Sequence, residues 1–238
     1  MHLIIILSLL KFNHQNLYKM KNISKEDYLS TIYKNRDSDG IIKGNQIAEK
    51  LEISNAAVTD MLKKLSNDGF VDHKRYRGIK LTGEGEEYAR NMVRRHRIWE
   101  VFLHQVVGLP WDKVHDEAEN LEHSSSDELI NRMEEMLDFP EFDPHGNPIP
   151  NKNGELPEQS HGVSLNSVTP GTKVIVLRVN DINNNFLNYI SQMGLELNKE
   201  IEVKNLLDYD SSVLILIDGR EVNLSSKLAS NIFVIQSQ

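Results

Sequence analysis

The sequence predicts an α+β chain in which two helical groups precede a small β-barrel, and three observations predict it. Apolar residues recur every three or four positions from Ser24 to about Leu137, the period of amphipathic helices. Beyond Thr172 the period becomes 2, through TKVIVLRV, EIEVKNLL, SSVLILID and NIFVI. Between them, residues 138–162 hold five of the seven prolines (Pro140, Pro144, Pro148, Pro150 and Pro157) and read as a tether.

With 238 residues, 39% hydrophobic and 26% charged, the chain has ordinary globular composition and needs no staples for a core. Cysteine is absent, which excludes disulfides, thiolate zinc sites and thiol catalysis. The net charge of −8 hides a division: residues 20–97 carry 16 basic against 12 acidic residues, and the remainder 11 against 23. A basic module on an acidic chain suits a protein that touches phosphate with one part only. The apolar run Leu3–Leu10 is too short to span a bilayer and lacks the flanks of an export signal, so residues 1–19 read as a non-native or disordered extension before Met20. These features predict a cytoplasmic chain with no membrane partner.

In chain order, Ser24 to Asp27 has the S-x-x-[DE] form of a helix start, with Asp27 as the capping carboxylate. GNQIAEKLEISNAAVTDMLKKLSNDGF then has the layout of a helix-turn-helix. Ile47, Ala48 and Leu51 face inward from its first helix, Ser54 caps its second, and Val58, Met61, Leu62 and Leu65 face inward from that second helix. Asn55, Ala56 and Thr59 are left to approach base edges, and Lys63 and Lys64 to approach phosphate. FVDHKRYRGIKLT reads as a two-stranded ribbon whose turn brings Lys74, Arg75 and Arg77 within reach of the DNA backbone. A basic hairpin directly after a recognition helix makes residues 20–90 a winged helix-turn-helix, and double-stranded DNA the expected partner.

Thr82 caps a long helix that leads into residues 91–140, a helical domain with further helices from about Trp111 to His123 and from Ser126 to Leu137. The last carries Leu129, Ile130, Met133, Met136 and Leu137 on one stripe. That is more apolar surface than one layer needs, so a homodimer on a palindromic operator is expected. Residues 141–162 form the proline-rich linker, and residues 163–238 the barrel, with one embedded helix around Phe186 to Met193.

The stretch from His96 to His123 is dense in groups that hold divalent cations. Helical spacing puts His96 and Glu100 on one face, and His115, Glu119, Glu122 and His123 on another. Such residues commonly mark a solvated face, but here Trp99, Phe102, Leu103, Val114, Ala118 and Leu121 accompany them, and polar groups near apolar surface need a partner that offsets lost hydration. Imidazole and carboxylate without thiolate suit borderline to hard metals.

These residues resemble the diphtheria-toxin-repressor family of metal-dependent transcriptional repressors. The resemblance covers nearly everything after Met20; VDHKRYRGIKLTGEGEEYA, RRHRIWEVFL, KVHDEAENLEH and DPHGNPIP are its most specific pieces. It implies an SH3-like C-terminal domain of the kind found in ferrous-transport accessory proteins. It also implies a regulatory metal site from Asp27, Glu119, Glu122 and His123, and a second site from His96, Glu100 and His115 with Asp143 and His145, to which Asp181 is the nearest candidate from the last domain. Iron-responsive members place Met and Cys where this chain has Asp27 and Glu119, whereas manganese-responsive members have Asp and Glu there. The resemblance thus implies Mn2+ as cofactor, with Fe2+ the alternative. Manganese regulators lacking the last domain supply a further Glu one turn after the Asp; here Ser30 stands there. Some manganese-responsive relatives have Cys in place of Asp143.

Two other readings compete. A metallohydrolase also uses His and Glu ligands, but H-E-x-x-H, G-x-S-x-G and a P-loop are all absent, so the chain is not read as an enzyme. A winged-helix regulator of an organic ligand would need no carboxylate pair.

Overall fold

The computed structural model describes residues 24–74, 78–158, 162–180 and 184–237. The expected extension, the wing-tip residues Arg75 and Arg77, and Asp181 lie outside them. The chain divides into two compact units between Ala89 and Arg90.

The first unit opens with α1 (Lys25–Asn35), where the capping box forms as its residues dictate: Ser24 accepts from the Asp27 amide, and Asp27 Oδ2 takes the Ser24 amide at 2.7 Å. A two-residue strand, β1 (Ile41–Ile42), leads to α2 (Gly44–Leu51), which ends at Glu52 in the left-handed conformation. Ser54 caps α3 (Asn55–Asn67). The ribbon follows as β2 (Val71–Lys74) and β3 (Gly78–Leu81), and β1 joins it to make a three-stranded antiparallel sheet of order β1-β3-β2. Leu29, Ile32, Ile47, Val58, Leu62, Leu65 and Ile79 form one core beneath helices and sheet.

Helix α4 (Gly83–Gln105), 23 residues long, starts from Thr82, whose hydroxyl accepts the Gly85 amide, and from Arg90 on belongs to the second unit. There it packs with α5 (Val114–Glu122) and α6 (Asp127–Met136): Ile98, Val101, Ile130 and Met133 make one cluster, and Leu103, Val114 and Ala118 another. Helix α5 begins three residues later than its pattern suggests. Trp111 instead turns its side chain onto the barrel core, and the Lys113 amide closes a turn on Pro110. Deep between α4 and α6, Arg94 pairs with Glu134 at 2.5 Å and with Asn131 at 2.8 Å. On α6 the apolar stripe splits: Ile130 and Met133 are buried, while Leu129 and Met136 are 43% and 68% exposed.

The C-terminal part is an antiparallel six-stranded sheet of order β4-β9-β5-β6-β7-β8, with β4 (Val163–Ser164), β5 (Lys173–Val179), β6 (Glu200–Leu206), β7 (Val213–Ile217), β8 (Arg220–Leu224) and β9 (Ile232–Gln236). Bulges at Val176/Arg178 and Val203/Asn205 bend it around a core that includes Val176, Ile201, Val203, Ile215 and Val234. Helix α7 (Asn184–Gln192) contributes Leu187 and Ile190 to that core, and a single turn, α8 (Ser226–Ala229), precedes β9. The first half of the proline-rich stretch differs from the expected tether. Asp143, His145, Gly146, Asn147 and Ile149 are buried, in a tight loop pinned by a bridge between Phe142 and Pro148.

Candidate metal centre

The 3.6-residue period of α4 puts His96 and Glu100 one turn apart on its inner face, and α5 brings His115 against them. His96 Nε2 lies 3.0 Å from Glu100 Oε1 and 3.1 Å from His115 Nδ1, and His115 Nδ1 lies 3.1 Å from the same carboxylate oxygen. His145 reaches the cluster from the buried loop, with Nδ1 3.6 Å from Glu100 Oε1. His96 is 3% exposed, and Glu100 and His145 are 0% exposed. Two ring nitrogens and a carboxylate oxygen facing one another at such distances are all potential acceptors, so the point between them belongs to a cation, either a proton or a metal ion. Among the described residues the buried Glu100 Oε2 has no hydrogen-bond partner, which leaves a carboxylate oxygen for a further electropositive contact. Burial would push the Glu100 carboxyl up. The charge that His96 and His145 can carry, with a hydrogen bond from His115, outweighs it and holds the group well below the usual carboxylate range.

The outer nitrogens of His145 and His96 are also held. His145 Nε2 lies 2.8 Å from the Trp111 carbonyl oxygen. A carbonyl only accepts, so Nε2 carries the proton, and in the neutral ring Nδ1 presents its lone pair toward Glu100. His96 Nδ1 lies 2.5 Å from Glu122 Oε2, and the same logic leaves Nε2 facing the cluster. This arrangement, with His145 fixed from behind by a backbone carbonyl and His96 by a carboxylate, is the one metal-ligating histidines use. His96, Glu100 and His115 can offer ligand atoms all within 4.8 Å of one another, as can Glu100, Asp143 and His145. The residues therefore fit a divalent ion with nitrogen and oxygen ligands.

Asp143 is spent largely on the loop. Its Oδ1 accepts the amides of His145 at 2.8 Å and Asn147 at 2.9 Å, its Oδ2 accepts from Asn147 Nδ2 at 3.1 Å, and Arg97 Nε stands 3.5 Å away. Arg97 also donates to the Pro148 carbonyl, tying the loop to α4.

Of the other expected ligands, Glu119, Glu122 and His123 lie on α5 and at its C-terminal end. Glu119 is half-buried, Glu122 is buried with Oε1 3.5 Å from His123 Nε2, and His123 is the most open of the three. Asp27 belongs to the first unit and fills its capping role there. On α3, Asn55, Ala56, Thr59, Lys63 and Lys64 are all exposed. Thr59 Oγ1 donates to the Asn55 carbonyl at 2.8 Å, and Lys63 pairs with Asp60 at 3.2 Å, both side chains in solvent, where such a pair is worth little. Lys74 ends β2, but its side chain lies outside the described residues.

Comparison with known proteins follows the same division. Residues 22–79 match the family model of the iron dependent repressor N-terminal DNA binding domain, residues 82–151 that of the iron dependent repressor metal binding and dimerisation domain, and residues 163–236 the FeoA domain. The diphtheria toxin repressor of Corynebacterium diphtheriae is 33% identical over 218 residues, covering 87% of this chain and 94% of the relative. The chain belongs to the iron-dependent repressor family. As a member of that family it is a metal-dependent, DNA-binding transcriptional repressor of α+β class, with an SH3-like C-terminal domain. The HTH-type transcriptional regulator MntR of Oceanobacillus iheyensis is 33% identical over 120 residues, covering 50% of this repressor and 81% of the relative. Among solved structures, a manganese-dependent transcriptional repressor in complex with manganese superposes with a TM-score of 0.81 at 34% identity, covering 90% of this chain and 100% of that one. The manganese regulator SloR gives 0.78 at 33%, covering 90% and 99%.

Four residues around the candidate site escaped the reading of the sequence: Trp111, Arg97, Asn147, and Arg178, whose Nη1 lies 3.4 Å from Asn147 Oδ1. None is a ligand type in a recognisable spacing. The one local signal was D-P-H-G-N, an Asx-turn composition in which Asp143 bonds the amides two and four residues on.

Proposed function

We propose that this repressor responds to manganese and that its regulatory ion is held by Asp27, Glu119, Glu122 and His123. The observation that carries this reading is the donor set: three carboxylates and one imidazole, in a chain with no cysteine. Intrinsic affinity rises from manganese through iron toward copper, so a nitrogen-oxygen site favours manganese only through ligand type, geometry and availability, and oxygen-rich ligands narrow iron's advantage. The manganese-dependent relatives support the assignment. In this reading, Asp27 on the DNA-binding unit and the donors on α5 share one ion, so metal sets the angle of the DNA-binding module. A coupling of about 1–3 kcal/mol would alter operator affinity about 5- to 150-fold. The chain acts as a homodimer on a palindromic operator, using the exposed Leu129 and Met136 of α6 for pairing, and works in the cytoplasm without catalytic turnover. No helix among the described residues is long and apolar enough to cross a membrane.

The His96, Glu100, His115 and His145 cluster is the second metal site of this proposal, with Asp143 organising its loop. The test is operator binding at buffered free manganese, ferrous iron and zinc, in the wild type and in a variant carrying Asp27→Met with Glu119→Cys. Wild type should respond at manganese levels found in cells, and the variant should shift toward iron. Wild type activated by iron with manganese inert would refute the assignment.

A further inference from the structure

His145 is held from the side of the C-terminal barrel. Its carbonyl oxygen accepts the amide of Val179, the last residue of β5, at 3.0 Å. Gly146, at φ +82°, lies so close to β5 that a Cβ there would stand 2.4 Å from the Leu177 carbonyl oxygen and 3.0 Å from Arg178 Cα. Only glycine permits that approach. Arg178, stacked 3.8 Å over the Phe233 ring and donating to Asn180 at 2.8 Å, extends Nη1 to within 3.4 Å of Asn147 Oδ1. The Trp111 carbonyl that fixes the His145 tautomer comes from a residue whose side chain packs on the barrel core, and Lys113, just beyond it, donates to Asn188 of α7 at 3.2 Å.

We propose that β5 of the barrel is the positioning element of the buried metal cluster: through Val179, Gly146 and Arg178 it sets the loop that aims His145 at Glu100, so barrel docking and metal binding there are one linked equilibrium. This rests on the reading of that cluster as a metal site. It acts through the backbone of the ligand loop, and it gives the C-terminal domain a part in metal sensing whether or not the barrel lends a ligand of its own. The linkage is reciprocal: whatever factor docking adds to metal affinity, metal adds to docking.

The experiment titrates full-length protein with manganese(II) chloride by calorimetry and follows amide exchange at Val179 with and without the ion. Gly146→Ala forces the loop off β5, and Asn147→Ala and Arg178→Ala loosen it without a clash, so a folding defect in the first does not end the test. Each should weaken one binding step by about 10- to 100-fold, the usual effect of removing support behind a ligand, and leave the other step unchanged. Manganese should slow Val179 exchange in wild type and not in Glu100→Gln. If Glu100→Gln lost one equivalent of manganese while all three loop variants bound like wild type, the linkage would be overturned and the site would stand. If Glu100→Gln kept full stoichiometry, the cluster would not be a metal site and the proposal would fall with it.

Discussion

Replacing Glu100 by Gln isolates the charge at the centre of the buried cluster. Its Oε1 faces His96 and His115 at 3.0 and 3.1 Å, and an amide oxygen can still accept there, while the unpartnered Oε2 becomes an NH2 group. The amide keeps these contacts but not the charge that the folded carboxyl carries beside His96 and His145, so the metal-free variant should be less stable than wild type near neutral pH, and the metal-dependent increment is compared within each protein. The ion, by contrast, loses the only carboxylate common to both ligand groupings. One site filled at about 100 times its Kd stabilises by about 2.7 kcal/mol, which for a chain of this length moves the melting temperature by roughly 5–11 °C. Differential scanning calorimetry with and without manganese should show that increment in wild type and its loss in Glu100→Gln. The pH dependence has a definite sign. Because the folded carboxyl is held below its unfolded value, its contribution is fully present above about pH 4.3 and is lost as pH falls through the lowered folded value. Glu100→Gln should flatten that acid limb. An undiminished metal shift in the variant would refute the assignment.

Three further outcomes are expected. Arg94→Ala strands Glu134 in a buried position and should cost about 3–5 kcal/mol in urea unfolding, whereas a paired apolar replacement of both should cost far less. Asp27→Asn keeps an oxygen for the Ser24 amide, so α1 should survive by circular dichroism while metal-dependent operator affinity drops by about 5- to 150-fold; an unchanged metal response would remove Asp27 from the ligand set. Arg75→Ala and Arg77→Ala should each lower the slope of log K against log salt by about 1. Asn55→Ala and Thr59→Ala should instead relax sequence discrimination by about 1–3 kcal/mol, so an anisotropy salt series on matched and mismatched operators separates the two roles.

The amphipathic helices, the capping residues Ser24, Ser54 and Thr82, the β2–β3 ribbon and the hydrophobic strands β5, β6, β7 and β9 were all legible in the sequence. Each is specified by near neighbours, through a period of 3.6 or 2 or a cap three residues from its amide. The same locality made His96 and Glu100 visible as a pair. Strand β8 was not visible, because Arg220–Leu224 offers only Val222 and Leu224 as apolar residues after two charged ones, too short an alternation to stand out. Only the tertiary structure decided the fate of residues 143–149. By composition they read as a proline-broken tether, yet they are a buried loop whose polar groups are answered by Arg97, Trp111, Val179 and Arg178, the pairs that join His145 or Asn147 to Trp111, Val179 or Arg178 lying 31 to 34 positions apart in the chain. Whether a polar residue is solvated or buried depends on who stands opposite it. No periodicity within the segment records that, because the compensating donors and acceptors come from other elements.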